Sequence, residues 1–396
     1  MSRIVVVGAS AAGLTAAESL RRDGFEGSVT LIGEEPHLPY DRPPLSKQVL
    51  RGDWDLERVH LRSADMLDGI GAEWLLGRRA VGLDIAGREV VLDDGARVGF
   101  DGLVIATGVR PRLLPFGHDL AGVHVLRGLD DAVALRDDLD SAESVVVVGA
   151  GFLGAEAAAV ARELGRQVTL VDPLSAPMVR QLGSDIGARV ARLHVERGVD
   201  LRCGTGVVGF TSRQGRVSGV ELDDGTVVGA DIVLVAIGSV PAVDWLATSG
   251  LPLGDGLLCD QYCEAAPGIV GAGDVASWPH PDFGRLRLEH RMNATEQGTA
   301  AARTLLGYRD SFAPVPYFWT DQYDVKIQAY GRTSGDDDFA VVAGDPDAGR
   351  FAGLFGRDGR TSAAISWNMP REARVLRTKV IERAPWPEAV SAAPRA

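Results

Sequence analysis

Two glycine-rich turns constrain this chain more than any other feature. The first is Ile4-Val5-Val6-Val7-Gly8-Ala9-Ser10-Ala11-Ala12-Gly13, and the second is Val145-Val146-Val147-Val148-Gly149-Ala150-Gly151-Phe152-Leu153-Gly154. Each follows a short β-branched run and opens an alanine-rich stretch of helical composition. A strand that turns tightly into a helix leaves the first N–H groups of that helix pointing outward, where a diphosphate binds. Gly8, Ser10 and Gly13, with Ala12, fill the first turn; Gly149, Gly151 and Gly154, with Phe152 and Leu153, fill the second. Ser10 stands where a middle glycine is usual, and it is small enough for backbone to approach the phosphates. Taken singly, such a turn also serves plain strand-to-helix packing.

The acids that follow add a second test. Glu34 ends the run Val29-Thr30-Leu31-Ile32, 21 positions after Gly13, and Asp172 ends 167–171, 18 positions after Gly154. A carboxylate about 20 residues past the turn accepts hydrogen bonds from an adenosine ribose. The alternative for either acid is a surface side chain in a βα loop, but the paired spacing favours ribose. Two such units imply two dinucleotides bound face to face, an arrangement that carries a hydride from a nicotinamide to a flavin.

With 396 residues the chain has room for two or three domains. No apolar run approaches the 18 or so residues that cross a membrane, and Ile4 to Val7 is too short for a secretory leader, so a cytoplasmic location is expected. A net charge of −13 disfavours nucleic acid as a partner. Cys203, Cys259 and Cys263 are odd in number and scattered, which suggests neither a disulfide framework nor a metal site. Nothing in the sequence fixes the oligomeric state, which stays open between a monomer and a weak dimer.

The order of elements repeats. Residues 1–110 run from the first βαβ unit through an alternating strand at 81–92 and an Asp93-Asp94-Gly95 turn to a strand ending in Ala106-Thr107-Gly108. Residues 111–238 run from the second unit through 217–222 and Asp223-Asp224-Gly225 to Ala236-Ile237-Gly238. Two copies of one dinucleotide-binding fold are expected. Beyond 239, Gly271-Ala272-Gly273-Asp274 ends a short strand and 293–306 reads as a helix. Residues 313–384 read as an α+β domain of four strands (325–330, 339–343, 350–355, 361–367) and a helix from Pro370, and 385–396 as a disordered tail.

These residues resemble the pyridine-nucleotide disulfide oxidoreductase superfamily, and within it the NADH-dependent ferredoxin reductases of the putidaredoxin reductase type. The resemblance rests on Tyr40-Asp41-Arg42-Pro43-Pro44-Leu45-Ser46-Lys47, Ala106-Thr107-Gly108, Gly271-Ala272-Gly273-Asp274, Asn293-Ala294-Thr295-Glu296-Gln297-Gly298 and Phe318-Trp319-Thr320-Asp321-Gln322-Tyr323. It implies an α/β chain with two Rossmann-like, glutathione-reductase-like domains and a C-terminal α+β domain. FAD would belong to 1–110 with 239–312, and NAD to the inserted 111–238. It implies FAD contacts from Gly8, Ser10, Ala12, Gly13, Glu34, Arg42, Lys47, Val81, Ala106, Thr107, Gly108, Arg127, Asp274, Arg291 and Trp319. It implies NAD contacts from Gly149, Gly151, Phe152, Leu153, Gly154, Glu156, Asp172, Ile237 and Gly238. Arg291 departs from the aromatic or aliphatic residue of many relatives.

The cysteines select the branch. Disulfide reductases of this fold carry a Cys pair near the equivalent of 41–47, and thioredoxin reductases a Cys-x-x-Cys in the NAD domain; neither pattern is present. Electrons are then expected to leave the flavin singly for a small acidic iron–sulfur ferredoxin that serves a cytochrome P450 or a ring-hydroxylating oxygenase. A rubredoxin reductase and an AIF-like signalling flavoprotein share the motifs and stay open.

Lys47 is one of three lysines, with Lys326 and Lys379, in a chain that otherwise uses arginine. A compact ammonium at this position is expected beside the flavin and paired with Glu156; the alternative is a solvated loop lysine. Trp319 is expected over the flavin, or else in a core. Arg62, Arg303, Arg371, Arg374 and Arg377 are expected to form a basic docking patch.

Overall fold

The computed structural model describes residues 1–391, which divide into two compact units. The first comprises Met1–Asp41, Leu56–Arg110 and Ser239–Pro316; the second comprises Arg42–Asp55, Pro111–Gly238 and the chain from Tyr317 onward.

In the first unit, the β-branched run Arg3–Val7 lies at the middle of a six-stranded sheet. It pairs in parallel with Ser28–Gly33 on one side and Gly102–Ile105 on the other, so Val7 sits level with both Ile32 and Ile105. Val5, Val6, Leu103, Val104 and Ile105 are buried, as expected of strands covered on both faces. The helices Ala11–Arg22 and Arg291–Leu305 pack closely because Gly298 has no side chain: a Cβ there would lie 2.5 Å from the Ala12 carbonyl oxygen.

The second unit repeats this frame. Ser144–Val148 pairs in parallel with Gln167–Asp172 and Ile232–Val235, and Val148 sits level with Val171 and Val235. The same unit holds a five-stranded antiparallel sheet in the order Tyr317–Gln322, Val325–Gly331, Arg360–Trp367, Arg350–Arg357, Asp338–Asp345. Ile327, Phe351, Phe355 and Ile365 of that sheet share a core with Leu182, Ile186 and Val190 of the helix Val179–Glu196.

Local readings change in three places. Residues 81–92 form two strands, Ala80–Asp84 and Glu89–Leu92, because the Asp84 carboxylate accepts the Gly87 N–H and Arg88 takes φ +52°. The segment Tyr317–Gln322 is a strand, which adds a fifth to the four expected. The expected disordered tail carries a helix, Trp386–Ser391, with Ala389 buried and the Trp386 ring against Gly356. Residues 392–396 of that tail lie outside the described residues.

Candidate functional site

In the first unit the glycine turn, the Ala106-Thr107-Gly108 turn and the Gly273 turn converge at the carboxyl end of Arg3–Val7. Gly8 adopts φ +114°, and a Cβ there would lie 2.1 Å from the Ala106 carbonyl oxygen. A Cβ on Gly13 would lie 1.8 Å from the Gly8 carbonyl oxygen, and one on Gly273 would touch the Ala12 side chain at 3.0 Å. The Gln297 amide oxygen accepts the Gly273 N–H at 2.9 Å and fixes the short helical turn that carries Asp274. The helix from Ala11 receives no side-chain cap from Ser10. Its first N–H groups are thus left for an outside acceptor, as a diphosphate requires.

The remaining residues of the expected flavin set in this unit occupy varied settings. Glu34 follows Ser28–Gly33 with its side chain 59% exposed and 4.0 Å from Arg110. Thr107 donates its hydroxyl to the Ala242 carbonyl at 2.9 Å, and Gly108 takes φ +67°. Val81 is exposed on Ala80–Asp84. Arg291, at the start of its helix, grips Asp41 and also donates to the Thr295 hydroxyl.

The second unit reproduces the cradle. Gly149 adopts φ +104° with a would-be Cβ 2.4 Å from the Ala236 carbonyl oxygen, and one on Gly154 would lie 1.9 Å from the Gly149 carbonyl oxygen. A Cβ on Gly151 would meet nothing within 4 Å, so backbone faces open space where a diphosphate would lie. The helix Phe152–Glu163 begins at Gly151, which has no side chain to cap it. Asp172 is buried; its Oδ2 accepts the Ala150 N–H at 2.7 Å and its Oδ1 the Leu174 N–H at 2.8 Å. A carboxylate has about four acceptor positions, so about two would remain for an outside donor. Ile237 and Gly238 (φ +96°) follow Ile232–Val235, and the rings of Phe152 and Phe318 lie 4.8 Å apart.

A buried polar cluster also lies in this unit. Lys47 stands on a π-helical turn, Leu45–Val49, in which the Val49 N–H reaches back to the Pro44 carbonyl at 3.0 Å. Such widened turns recur at functional sites because they re-aim a side chain. The Lys47 ammonium meets Glu156 Oε2 at 2.8 Å, and Ser46 donates to the same oxygen at 2.6 Å. Thr320 donates to Glu156 Oε1 at 2.8 Å. Lys47 is 7% exposed and Glu156 6%, so neither charge is shared with solvent. The solvated-loop reading of Lys47 therefore falls away: a buried ammonium is kept by its partner.

Arg42 donates to the Arg127 carbonyl at 2.6 Å, and the Arg127 N–H donates to Asp131. Trp319 lies half-buried on Tyr317–Gln322, its ring stacked 5.9 Å from that of Tyr317. Sequence reasoning passed over Ser46 and Thr320 as Glu156 partners. Both sit inside strings that it quoted, next to Lys47 and Trp319.

Of the expected basic patch, Arg62 clasps Glu18 at 2.7 and 3.1 Å, and Arg303 lies 3.1 Å from Asp310. Those two charges are neutralised locally. Arg371, Arg374 and Arg377 are exposed on Pro370–Ile381 and not ion-paired among the described residues.

Comparison with known proteins agrees with this architecture. The chain is 40% identical over 377 residues to rhodocoxin reductase of Rhodococcus erythropolis, covering 94% of this chain and 88% of that protein. It is 38% identical to a ferredoxin–NAD(P)(+) reductase of Sphingomonas sp., covering 93% and 90%. Among solved structures it matches a chain of the covalent putidaredoxin reductase–putidaredoxin complex with a TM-score of 0.94 and 30% identity, covering 99% of both. The reductase C-terminal family matches residues 317–396, and the pyridine nucleotide-disulphide oxidoreductase family matches residues 2–298. With that match over most of its length, the chain belongs to the pyridine nucleotide-disulphide oxidoreductase family.

Proposed function

We propose that this protein is a ferredoxin–NAD(+) reductase: it takes reducing equivalents from NADH and delivers them singly to a small iron–sulfur ferredoxin that feeds a cytochrome P450 or a ring-hydroxylating oxygenase. Bound FAD supplies the conversion between a two-electron donor and a one-electron acceptor. The observation that carries the reading is the pair of matching cradles, each opening on an uncapped helix, in a chain whose thiols are unsuited to relay electrons. Cys259 is 3% exposed and Cys263 is fully buried, and burial pushes both thiols up.

In this reading residues 1–110 and 239–312 hold FAD. Gly8, Ser10, Ala12 and Gly13 meet its diphosphate, Glu34 its adenosine ribose and Asp274 its ribityl chain. Val81, Ala106, Thr107, Gly108, Arg127, Arg291 and Trp319 line the rest, and Arg42 adds a cation for the phosphates. Residues 111–238 hold NADH through Gly149, Gly151, Phe152, Leu153, Gly154, Asp172, Ile237 and Gly238. Lys47, held by Glu156, would offer its ammonium to the bound flavin, where a positive charge would favour reduction. A cytoplasmic setting accords with three cysteines that are all free.

The test is NADH-driven electron transfer to a panel of iron–sulfur ferredoxins and a rubredoxin, read through cytochrome c. Turnover with a ferredoxin supports the reading. Turnover with rubredoxin alone would replace the acceptor, and slow reduction with a persistent charge-transfer band would favour a signalling flavoprotein.

A further inference from the structure

Glu156 is held by more than its ion pair. The Thr320 hydroxyl that donates to it accepts in turn from Gln322 Nε2 at 3.3 Å. Gln322 Oε1 lies 3.0 Å from His194 Nε2, and His194 Nδ1 lies 3.1 Å from the Tyr323 hydroxyl. Thr320, Gln322 and His194 are all at most 1% exposed. Thr320 and Gln322 share one face of Tyr317–Gln322, and His194 reaches them from the helix Val179–Glu196.

Chemistry fixes the direction of this chain. A carboxylate only accepts, so Thr320 gives Glu156 its one hydrogen and must accept from Gln322. The Gln322 carbonyl oxygen is then left facing His194, which donates through Nε2–H. Turning the Gln322 amide over would set two acceptors against each other at Thr320. Burial pushes the His194 pKa down to about 4, so the ring is neutral and Nδ1 is an acceptor. Tyr323, pushed up to about 12 by burial, stays protonated and donates to it. Four hydrogen bonds therefore run head to tail toward one carboxylate oxygen, and bonds in such a series polarise one another.

We infer that His194, acting through Gln322 and Thr320, is a positioning residue that orients the Glu156 carboxylate and so sets where the Lys47 ammonium stands. The inference rests on the proposed role of Lys47. Three polar side chains from two elements, buried in series and ending on the anion of a buried ion pair, do what apolar packing cannot. They fix the rotation of a carboxylate whose other oxygen carries the lysine.

The test uses the FAD-loaded enzyme, with stopped-flow reduction by NADH and the flavin midpoint potential as readouts. His194→Phe keeps the bulk and removes both ring nitrogens; flavin reduction should slow about three- to tenfold, the scale of one lost neutral hydrogen bond, with the NADH KM unchanged. His194→Gln places an amide nitrogen where Nε2 was and should recover the rate to within about twofold. Gln322→Met breaks the next link, should match His194→Phe, and carries the test if His194→Phe does not fold. In a Lys47→Met background, His194→Phe should add no further loss. If Lys47→Met alone reduces normally, the reading of Lys47 fails. If Lys47→Met is slow while His194→Phe and Gln322→Met keep wild-type rates and potentials, the His194 inference alone is overturned. Equal losses in His194→Gln and His194→Phe would also overturn it, since that pattern is packing.

Discussion

Lys47 Nζ lies 2.8 Å from Glu156 Oε2 with both side chains withdrawn from solvent. An ion pair so placed gains little net stability, because desolvation of the two charges offsets their attraction. Its presence is better explained by a use for the ammonium than by folding.

Replacing that ammonium is the first expectation. Lys47→Met keeps much of the length and removes the charge, at the cost of leaving Glu156 buried beside Ser46 and Thr320 alone. Reduction of bound FAD by NADH should slow by roughly ten- to a hundredfold, the equivalent of about 1.5–3 kcal/mol for a charge-assisted contact. The midpoint potential of the flavin should fall. Loss of FAD on purification would instead make Lys47 a binding residue, and wild-type stopped-flow traces would end its proposed role.

Nicotinamide choice follows from Asp172. Its carboxylate is anchored by the Ala150 and Leu174 N–H groups and cannot swing away from a 2′-phosphate. Pro173, Leu174 and Ser175 supply no arginine to neutralise one. NADH should be preferred over NADPH by at least about tenfold in kcat/KM, given the repulsion of two like charges at close range. Equal values for the two nucleotides would remove the argument.

The two cradles were legible in the sequence because their constraint is local. Gly8, Gly13, Gly149 and Gly154 occupy positions where a Cβ would strike backbone, so no other residue type fits and the spacing is fixed. The network that ends on Glu156 was only half legible. Lys47 drew notice as a rare lysine, but Thr320 and His194 lie 164 and 38 positions from Glu156, and no periodicity links such distances. The strand Tyr317–Gln322 was missed for a related reason. Its pattern Tyr-Phe-Trp-Thr-Asp-Gln does not alternate cleanly, because its inward positions Thr320 and Gln322 are polar members of the network. The ordered helix Trp386–Ser391 rests on one ring filling the space left by Gly356, a long-range fit that composition does not announce.

The cysteines yield a contrary pair of effects. Burial pushes Cys259 up to about 12 and Cys203 up to about 11, and Cys263 higher still, so all three are protonated at neutral pH. A protonated thiol is neither a nucleophile nor a relay. Replacing all three with serine should leave NADH-to-ferredoxin turnover nearly intact while lowering the unfolding temperature. The cause is two hydroxyls buried at 259 and 263, at about 1–3 kcal/mol each where no partner is found. A triple variant that binds FAD and has lost turnover would point to a thiol route.

Acid should destabilise the protein earlier than its carboxylates require. An unfolded histidine binds its proton near pH 6.5, but His194 is held to about 4 by burial. Between those values the unfolded state binds more protons, so stability is full above pH 6.5 and falls as pH drops toward 4. His290 and His280, also pushed down by burial, act in the same direction. His194→Gln removes one of the three. Urea unfolding compared at pH 7 and pH 5 should show wild type losing more stability than this variant by about 1–2 kcal/mol. Parallel losses in the two proteins would mean that His194 takes up its proton in the folded state.

Partner docking is the last expectation. The chain carries a net charge of −13, and an acidic ferredoxin would be repelled unless it met a local patch of the other sign. Arg371, Arg374 and Arg377, spaced by three on Pro370–Ile381, are the exposed cations left once Arg62 and Arg303 are set aside with their carboxylates. Arg374→Glu with Arg377→Glu should raise the ferredoxin KM severalfold at low salt while flavin reduction by NADH is untouched. Arg377 also lies over the Tyr330 ring at 5.9 Å, so its removal costs some packing; the two rates separate that loss from docking. Because steering between exposed charges is screened beyond about 8 Å at physiological ionic strength, wild type and variant should converge as salt rises. A ferredoxin KM that ignores both the substitutions and the salt would move the docking surface off this helix.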